Sequence, residues 1–224
     1  MKIGVVTIGQ SPRDDMIPDI ETVLSGNISI IQSGALDEFT YEEVISRFSP
    51  QKGDDILITR MRDGRQVKIA EQPILPLLQS CIHKLEAQGA KAVLMVCSGK
   101  FPAFRHNTLL LKPQELLHAV TSKIADGSTV GLIIPDKDQI DQITHWWNNN
   151  GVNVDVEVAS PYQAFKGVED AARRLRTKQV SVIFMDCMGY TIQMKQKVRE
   201  ITGKPVLLPR TLAAAVINEL FGEA

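Results

Sequence analysis

Cysteine is scarce in this chain of 224 residues, with Cys81, Cys97 and Cys187 the only three. An odd, sparse set makes no disulfide framework and fits reduced thiols in a cytosolic setting. Charge of one sign is lacking too: 25 Lys and Arg stand against 26 Asp and Glu, a net charge of -1. No surplus of positive charge exists to neutralise a phosphate backbone, so nucleic acid is not an expected partner. Long apolar runs are missing. No stretch approaches the roughly 18 apolar residues of a membrane helix. The N-terminal run Ile3–Ile8 breaks at Gly9 and Gln10, and Arg13, Asp14 and Asp15 follow, so it is too short for a signal segment. A cytoplasmic protein without a membrane partner is the expectation.

Several chemical signatures are absent as well. His83, His106, His118 and His145 do not pair at metal-ligand spacing and there is no Cys-x-x-Cys, so no metal is expected. The chain has no Gly-x-Gly-x-x-Gly fingerprint, no Walker sequence and no Gly-x-Ser-x-Gly elbow. Neither Cys97 nor Cys187 precedes an Arg at the spacing of thiol phosphatases. The expectation is chemistry without a cofactor.

What is present is an ordinary globular composition, 44% hydrophobic and 23% charged. The length allows one large domain or two small ones. Short β-rich runs alternate with helical periodicity. Strands are predicted at Ile3–Ile8, Ile28–Ile31, Ala92–Val96, Leu109–Leu111, Val130–Ile134, Val152–Val158, Val180–Met185 and Pro205–Leu208. Helices are predicted over 14–25, 41–48, 72–88, 113–125, 136–149, 160–177, 190–201 and 210–221. Asp63-Gly64 between Ile56–Arg60 and Gln66–Ala70 signals an antiparallel hairpin. The apolar strands show little alternation, as parallel strands covered on both faces do. The class is therefore α/β.

The chain also echoes itself. Lys2-Ile-Gly-Val-Val-Thr-Ile8 is similar to Thr129-Val-Gly-Leu-Ile-Ile134. Ala92-Val-Leu-Met-Val-Cys-Ser-Gly99 is similar to Val182-Ile-Phe-Met-Asp-Cys-Met-Gly189. The reading is two pseudo-symmetric Rossmann-like lobes with mainly parallel sheets and a cleft between them. Residues 1–97 are expected to form the first lobe and 98–207 the second.

The paired Cys-x-Gly turns carry the chemical interest. Ligands of open parallel sheets bind at the carboxyl ends of strands, where both thiols are placed. A thiolate and a thiol on opposite faces of a carbon acid remove and return a proton. The competing reading of each thiol is a small buried apolar residue, and Cys81, on the apolar stripe of a helix, is assigned to the core. Thr7-Ile-Gly-Gln-Ser-Pro-Arg13 is the second feature. Gly9 permits a tight turn, Gln10 and Ser11 offer hydrogen bonds, and Arg13 holds a carboxylate through two prongs, or else is a solvated residue of a plain turn. Arg105 is a second anion contact beside a stronger reading as surface, and Arg210, at the start of the last helix, points at the strand-end face or, on the stronger reading, is solvent-exposed.

Thr7-Ile-Gly-Gln-Ser-Pro-Arg13, Leu94-Met-Val-Cys-Ser-Gly99 and Met185-Asp-Cys-Met-Gly-Tyr190 together resemble the AroM family, over nearly the whole chain. That family looks like a branch of the aspartate/glutamate/hydantoin racemase superfamily. The resemblance implies a racemase-like pair of α/β lobes, with the C-terminal helix, in residues 208–224, returning to the first. It also implies Cys97 and Cys187 as the two acid/base residues, and an association with aromatic amino-acid biosynthesis. The superfamily's usual Cys-Asn-Thr and Gly-Cys-Thr are here Cys97-Ser98-Gly99 and Asp186-Cys187-Met188, so the side chains that fix an amino acid's carboxylate differ. Asp186 also sets a negative charge beside a thiol.

The expected function is a cofactor-independent racemase, epimerase or isomerase acting on a small carboxylate. Thr7, Gly9, Gln10, Ser11, Arg13, Ser98, Gly99, Met188 and Gly189 are expected to line the substrate. A homodimer is expected from the relatives. Two other readings stand beside it: a non-catalytic small-anion binding or regulatory protein, and a one-cysteine lyase or decarboxylase using Cys187.

Overall fold

Ile3, Val5 and Val6 are all buried, so the first strand is covered on both faces. The computed structural model describes residues 1–223. The chain begins with β1 (Lys2–Thr7), α1 (Ile17–Glu21), β2 (Ser29–Gly34) and α2 (Tyr41–Phe48). The hairpin β3 (Ile56–Arg60) and β4 (Gln66–Ala70) follows, then α3 (Leu75–Ala87), β5 (Ala92–Met95) and β6 (Leu109–Leu111). The second half runs α4 (Pro113–Ala125), β7 (Val130–Ile134), α5 (Ile140–Asn149) and β8 (Val154–Val158). It ends with α6 (Lys166–Arg176), β9 (Val182–Met185), α7 (Ile192–Thr202), β10 (Val206–Leu207) and α8 (Pro209–Phe221).

Two four-stranded sheets result, in the orders β2-β1-β5-β6 and β10-β9-β7-β8. Every pairing within them is parallel. Counted along the chain within each sheet, both orders read 2-1-3-4, so the sequence echo corresponds to a repeated topology. In such a sheet the chain reverses its winding between the first and third strands, and the crevice for a ligand opens at their carboxyl ends. These strands are β1 and β5 in one sheet, β7 and β9 in the other.

The chain divides into two compact units, Met1–Pro113 with the stretch from Ala213, and Gln114–Leu212. Residues 208–212, expected in the first lobe, run with the second unit, and residues 98–113, expected in the second lobe, run with the first. The reason for the latter is β6, which pairs with β5 through Ala92↔Leu109 and Leu94↔Leu111. In the first unit Val6, Ile69, Leu78, Ile82, Leu85 and Val93 form the core between sheet, hairpin and α3. Ala214 and Ile217 of α8 line an apolar seam with Ile3, Val5 and Leu94. In the second unit, Leu132, Trp147, Val182 and Phe184 form one core. Ile133, Val168, Leu175, Ile183 and Val198 form the other.

Two helices are shorter than their apolar spacing predicts. The helix expected over 14–25 is confined to α1, because the N–H groups of Met16 and Ile17 both donate to the Arg13 carbonyl and make a turn first. The helix expected from Ser160 begins at Lys166. Ser160 Oγ accepts the Tyr162 N–H at 3.1 Å, a local bond that competes with helix.

Gly9 is required by close approach. A Cβ there would collide with Thr59 Oγ1 and lie 2.8 Å from the Arg60 carbonyl, where the hairpin leans on the end of β1. Gly9→Ala is expected to lower stability by about 1–3 kcal/mol, read as a lower urea midpoint at unchanged slope.

Candidate active site

Each sheet presents the same turn at the end of its third strand. In the first unit the Val96 N–H donates to the Val6 carbonyl at 2.9 Å, prolonging the pairing of β5 with β1 by one residue. Cys97 comes next, half-buried, and the Gly99 N–H donates to its Sγ at 3.4 Å. In the second unit the Asp186 N–H donates to the Ile133 carbonyl at 2.8 Å. Cys187 comes next, buried, and the Gly189 N–H donates to its Sγ at 3.4 Å. A backbone N–H aimed at sulfur favours the thiolate, because it stabilises the charged form. The same chemistry therefore stands at equivalent places in two equivalent sheets.

The surroundings of the two turns differ. Cys187 lies between two anchored neighbours. Trp147 is fully buried and its Nε1–H donates to Asp186 Oδ2 at 2.9 Å. Arg210 is fully buried and its Nε–H donates to the Met188 carbonyl at 2.9 Å. The expectation that Arg210 faces solvent is thus corrected: α8 starts under the Cys187 turn and carries the guanidinium inward. Tyr190 is also fully buried and donates its hydroxyl to the Ala159 carbonyl at 2.7 Å. Burial, then the nearby Cys187, Asp186 and Tyr162, push the Tyr190 hydroxyl well above the usual phenol range, so it remains a donor. Gly189 must lack a side chain, since a Cβ would fall 2.5 Å from Tyr162 Oη and 2.8 Å from Pro161 Cγ.

Behind Asp186 the His118 ring stacks on Trp147, with centroids 3.9 Å apart. Neither ring nitrogen of His118 has a hydrogen-bond partner. Burial pushes its pKa down and the Asp186 charge opposes, so the imidazole is neutral at pH 7. Among the described residues no three His, Cys, Asp or Glu side chains converge on a metal-sized site. No helix among them is long and apolar enough to cross a membrane.

The loop after β1 is a closed network. Thr7 Oγ1 accepts from the Gly9 N–H at 3.2 Å and from Arg13 NH1 at 3.0 Å. Gln10 donates to the Leu36 and Phe39 carbonyls and accepts the Arg62 N–H at 2.7 Å. Ser11 donates its N–H and its hydroxyl to Asp37, at 2.6 and 2.7 Å. Arg13, 2% exposed, grips Asp15 with both prongs, at 2.8 and 2.7 Å. The fork expected to hold a ligand carboxylate therefore holds one supplied by the chain itself. Arg62, from the turn of the hairpin, also donates to the Ser11 carbonyl and to Asp37.

The first unit thus gathers Thr7, Gly9, Gln10, Ser11 and Arg13 at the end of β1 and Cys97, Ser98 and Gly99 at the end of the neighbouring β5. The second unit holds Cys187, Met188 and Gly189 in one turn. Arg105 is tied by its backbone to Gln79 of α3. Cys81 is core, as expected, and burial pushes its thiol up. Asp37 and Arg62 escaped the sequence reading, and so did the bond of Trp147 to Asp186, because non-local hydrogen bonds leave no spacing signal.

Glu71 escaped it too. It directly follows β4 and is 5% exposed, and its Oε2 has no hydrogen-bond partner. Burial, then the Asp55 charge, push its pKa up to about 7, with Lys100 opposing. The unfolded chain ionises this group first. Its contribution is therefore most favourable below about pH 4.5 and is lost as pH rises toward 7. Glu71→Gln is expected to raise stability by about 2 kcal/mol at pH 8 and to leave it nearly unchanged at pH 4.5, as measured by denaturant unfolding at both values.

Comparison with solved structures finds the same fold in several enzymes. A mutant of arylmalonate decarboxylase in its liganded form matches with a TM-score of 0.65 at 13% identity, over 100% of this chain and 93% of that one. Aspartate racemase from Picrophilus torridus matches at 0.64 and 12%, over 98% and 93%. Maleate isomerase from Pseudomonas putida matches at 0.64 and 11%, over 98% and 93%. A search of curated proteins finds no match. The family model described as AroM protein matches residues 3–221. That span covers nearly the whole chain, and the chain belongs to the AroM family.

Proposed function

We propose that this protein is a cofactor-independent racemase, epimerase or isomerase of a small carboxylate, with Cys97 and Cys187 as its acid and base. The observation that supports this is the duplicated turn, a thiol two residues beyond the third strand with a glycine N–H 3.4 Å from its sulfur in both sheets. One thiolate takes the proton from the carbon next to the carboxylate. The electron pair left behind spreads onto the carboxylate, and the other thiol returns a proton to the opposite face. Nothing is oxidised or reduced, and the two sulfurs exchange protonation states in each turnover. Ser98, Gly99, Met188 and Gly189 line this chemistry, with Thr7, Gly9, Gln10 and Ser11. Arg13 joins only by exchanging the Asp15 carboxylate for that of the substrate. Two of the solved enzymes of this fold are named for small carboxylates, aspartate and maleate, which agrees with this substrate class.

A second reading, a one-thiol lyase or decarboxylase, is favoured by the anchoring of Cys187 on both sides through Trp147 and Arg210. The test is incubation in heavy water with a panel of small chiral carboxylates. Mass spectrometry is expected to show deuterium entering the α-position of at least one acid while its optical rotation falls. Loss of carbon dioxide without racemisation of any acid would select the second reading.

A further inference from the structure

Arg210 is the one fully buried arginine side chain among the described residues, and nothing in the proposed proton transfer uses it. A buried guanidinium is costly unless its environment rewards the charge. Its Nε–H donates to the Met188 carbonyl at 2.9 Å, in the middle of the turn that carries the thiol. The backbone of the turn makes two further bonds of its own. The Cys187 N–H reaches back to the Met185 carbonyl at 2.8 Å, and the Tyr190 N–H reaches the Cys187 carbonyl at 3.4 Å. The Met188–Gly189 peptide joins the carbonyl that Arg210 holds to the N–H that points at sulfur. A peptide unit is planar, so fixing its carbonyl oxygen fixes the direction of its N–H.

We infer that Arg210 is a positioning residue for Cys187: it clamps the Met188 carbonyl, and so aims the Gly189 N–H at the thiol sulfur. The inference deepens the proposed function, on which it rests for its catalytic meaning. Other titratable and charged groups face the same turn. Asp186 and Tyr190 flank it in sequence, Tyr162 packs against Gly189, and His118 of α4 faces Asp186. These groups are neutral or anionic at pH 7, so among the charged groups around the turn Arg210 alone has the sign that favours a thiolate.

The test reads the thiol itself and needs no substrate, so it stands or falls apart from the heavy-water assay. The intact protein is labelled with iodoacetamide across pH 6–10, and labelling at each cysteine is followed by peptide mass spectrometry. Arg210→Gln is expected to slow Cys187 labelling at pH 7.5 by about tenfold, as for a thiol pKa one unit higher. Cys97 labelling in the same molecules should stay within about twofold. Arg210→Lys keeps the charge without the planar fork and should fall between wild type and Arg210→Gln. Thr211→Ala, next in sequence but bonded only to the Leu208 carbonyl, should match wild type. A wild-type Cys187 profile in either Arg210 variant would overturn the inference. So would equal changes at Cys97 and Cys187, or faster labelling of Cys187, since both report a loosened fold rather than a misaimed donor. Should Arg210→Gln fail to fold, Arg210→Lys decides alone on the same criteria.

Discussion

Cys97→Ala and Cys187→Ala are each expected to lower racemisation of the responsive acid by about 100-fold to 10,000-fold, the usual contribution of a positioned acid or base. The two variants should fail in the same degree for a physical reason. A carbon that inverts needs a proton removed on one face and a proton delivered on the other, so neither sulfur does both. Stability should hardly change at Cys97, which is half-buried. It should fall modestly at Cys187, which is buried in the core beside Met185 and Tyr190. Circular dichroism melts separate such a loss from a chemical one. If only Cys187→Ala matters, the one-thiol reading takes over.

Trp147→Ala should cost about 3–5 kcal/mol, the most of any substitution considered, as judged from buried aromatic truncations. The indole is fully buried, stacked on His118 and set edge-on to Phe184 with centroids 5.2 Å apart. Its loss opens a cavity and also strips Asp186 of a donor, leaving that carboxylate buried with one partner fewer. Trp147→Phe isolates the second effect. It keeps most of the ring but removes the N–H, and is expected to cost about 1.5–3 kcal/mol, the range for a hydrogen bond to a charged group. Chemical denaturation of the two variants gives both numbers. No loss of stability in Trp147→Phe would mean that the indole N–H contributes nothing and that Asp186 is satisfied elsewhere.

Much of the architecture could be read from the chain because the signals are local. Ala92–Val96 and Val182–Met185 have no polar position, which specifies strands covered on both faces. Asp63-Gly64 specifies the hairpin, and β3 and β4 fall at Ile56–Arg60 and Gln66–Ala70 as expected. Asp136 caps the turn before α5, its carboxylate accepting the Asp138 N–H. The repeat Cys-x-Gly told of equivalent strand ends, and the common 2-1-3-4 order bears out that likeness. Three residues of β6 gave no hint of their sheet, because pairing partners are set by tertiary contact and not by local pattern.

The candidate site was legible only in part, and the divide follows the range of the interactions. Cys97, Gly99, Cys187 and Gly189 bond within two residues of each other, so spacing alone places them. Arg13 could be recognised as a fork for a carboxylate, but not that Asp15, two residues away, fills it. Arg210 looked like a surface residue because arginine is seldom fully buried. Its partner, the Met188 carbonyl, is 22 positions away and has no side-chain signature. The same holds for Trp147 and Asp186, separated by 39 positions.

The most direct measurement follows one pure enantiomer of the responsive acid in heavy water through its first few per cent of conversion. Two thiols acting from opposite faces put deuterium into the inverted product, while recovered starting acid keeps its hydrogen. Deuterium appearing equally in product and in recovered starting acid would contradict the account, since a single base would then have served both faces.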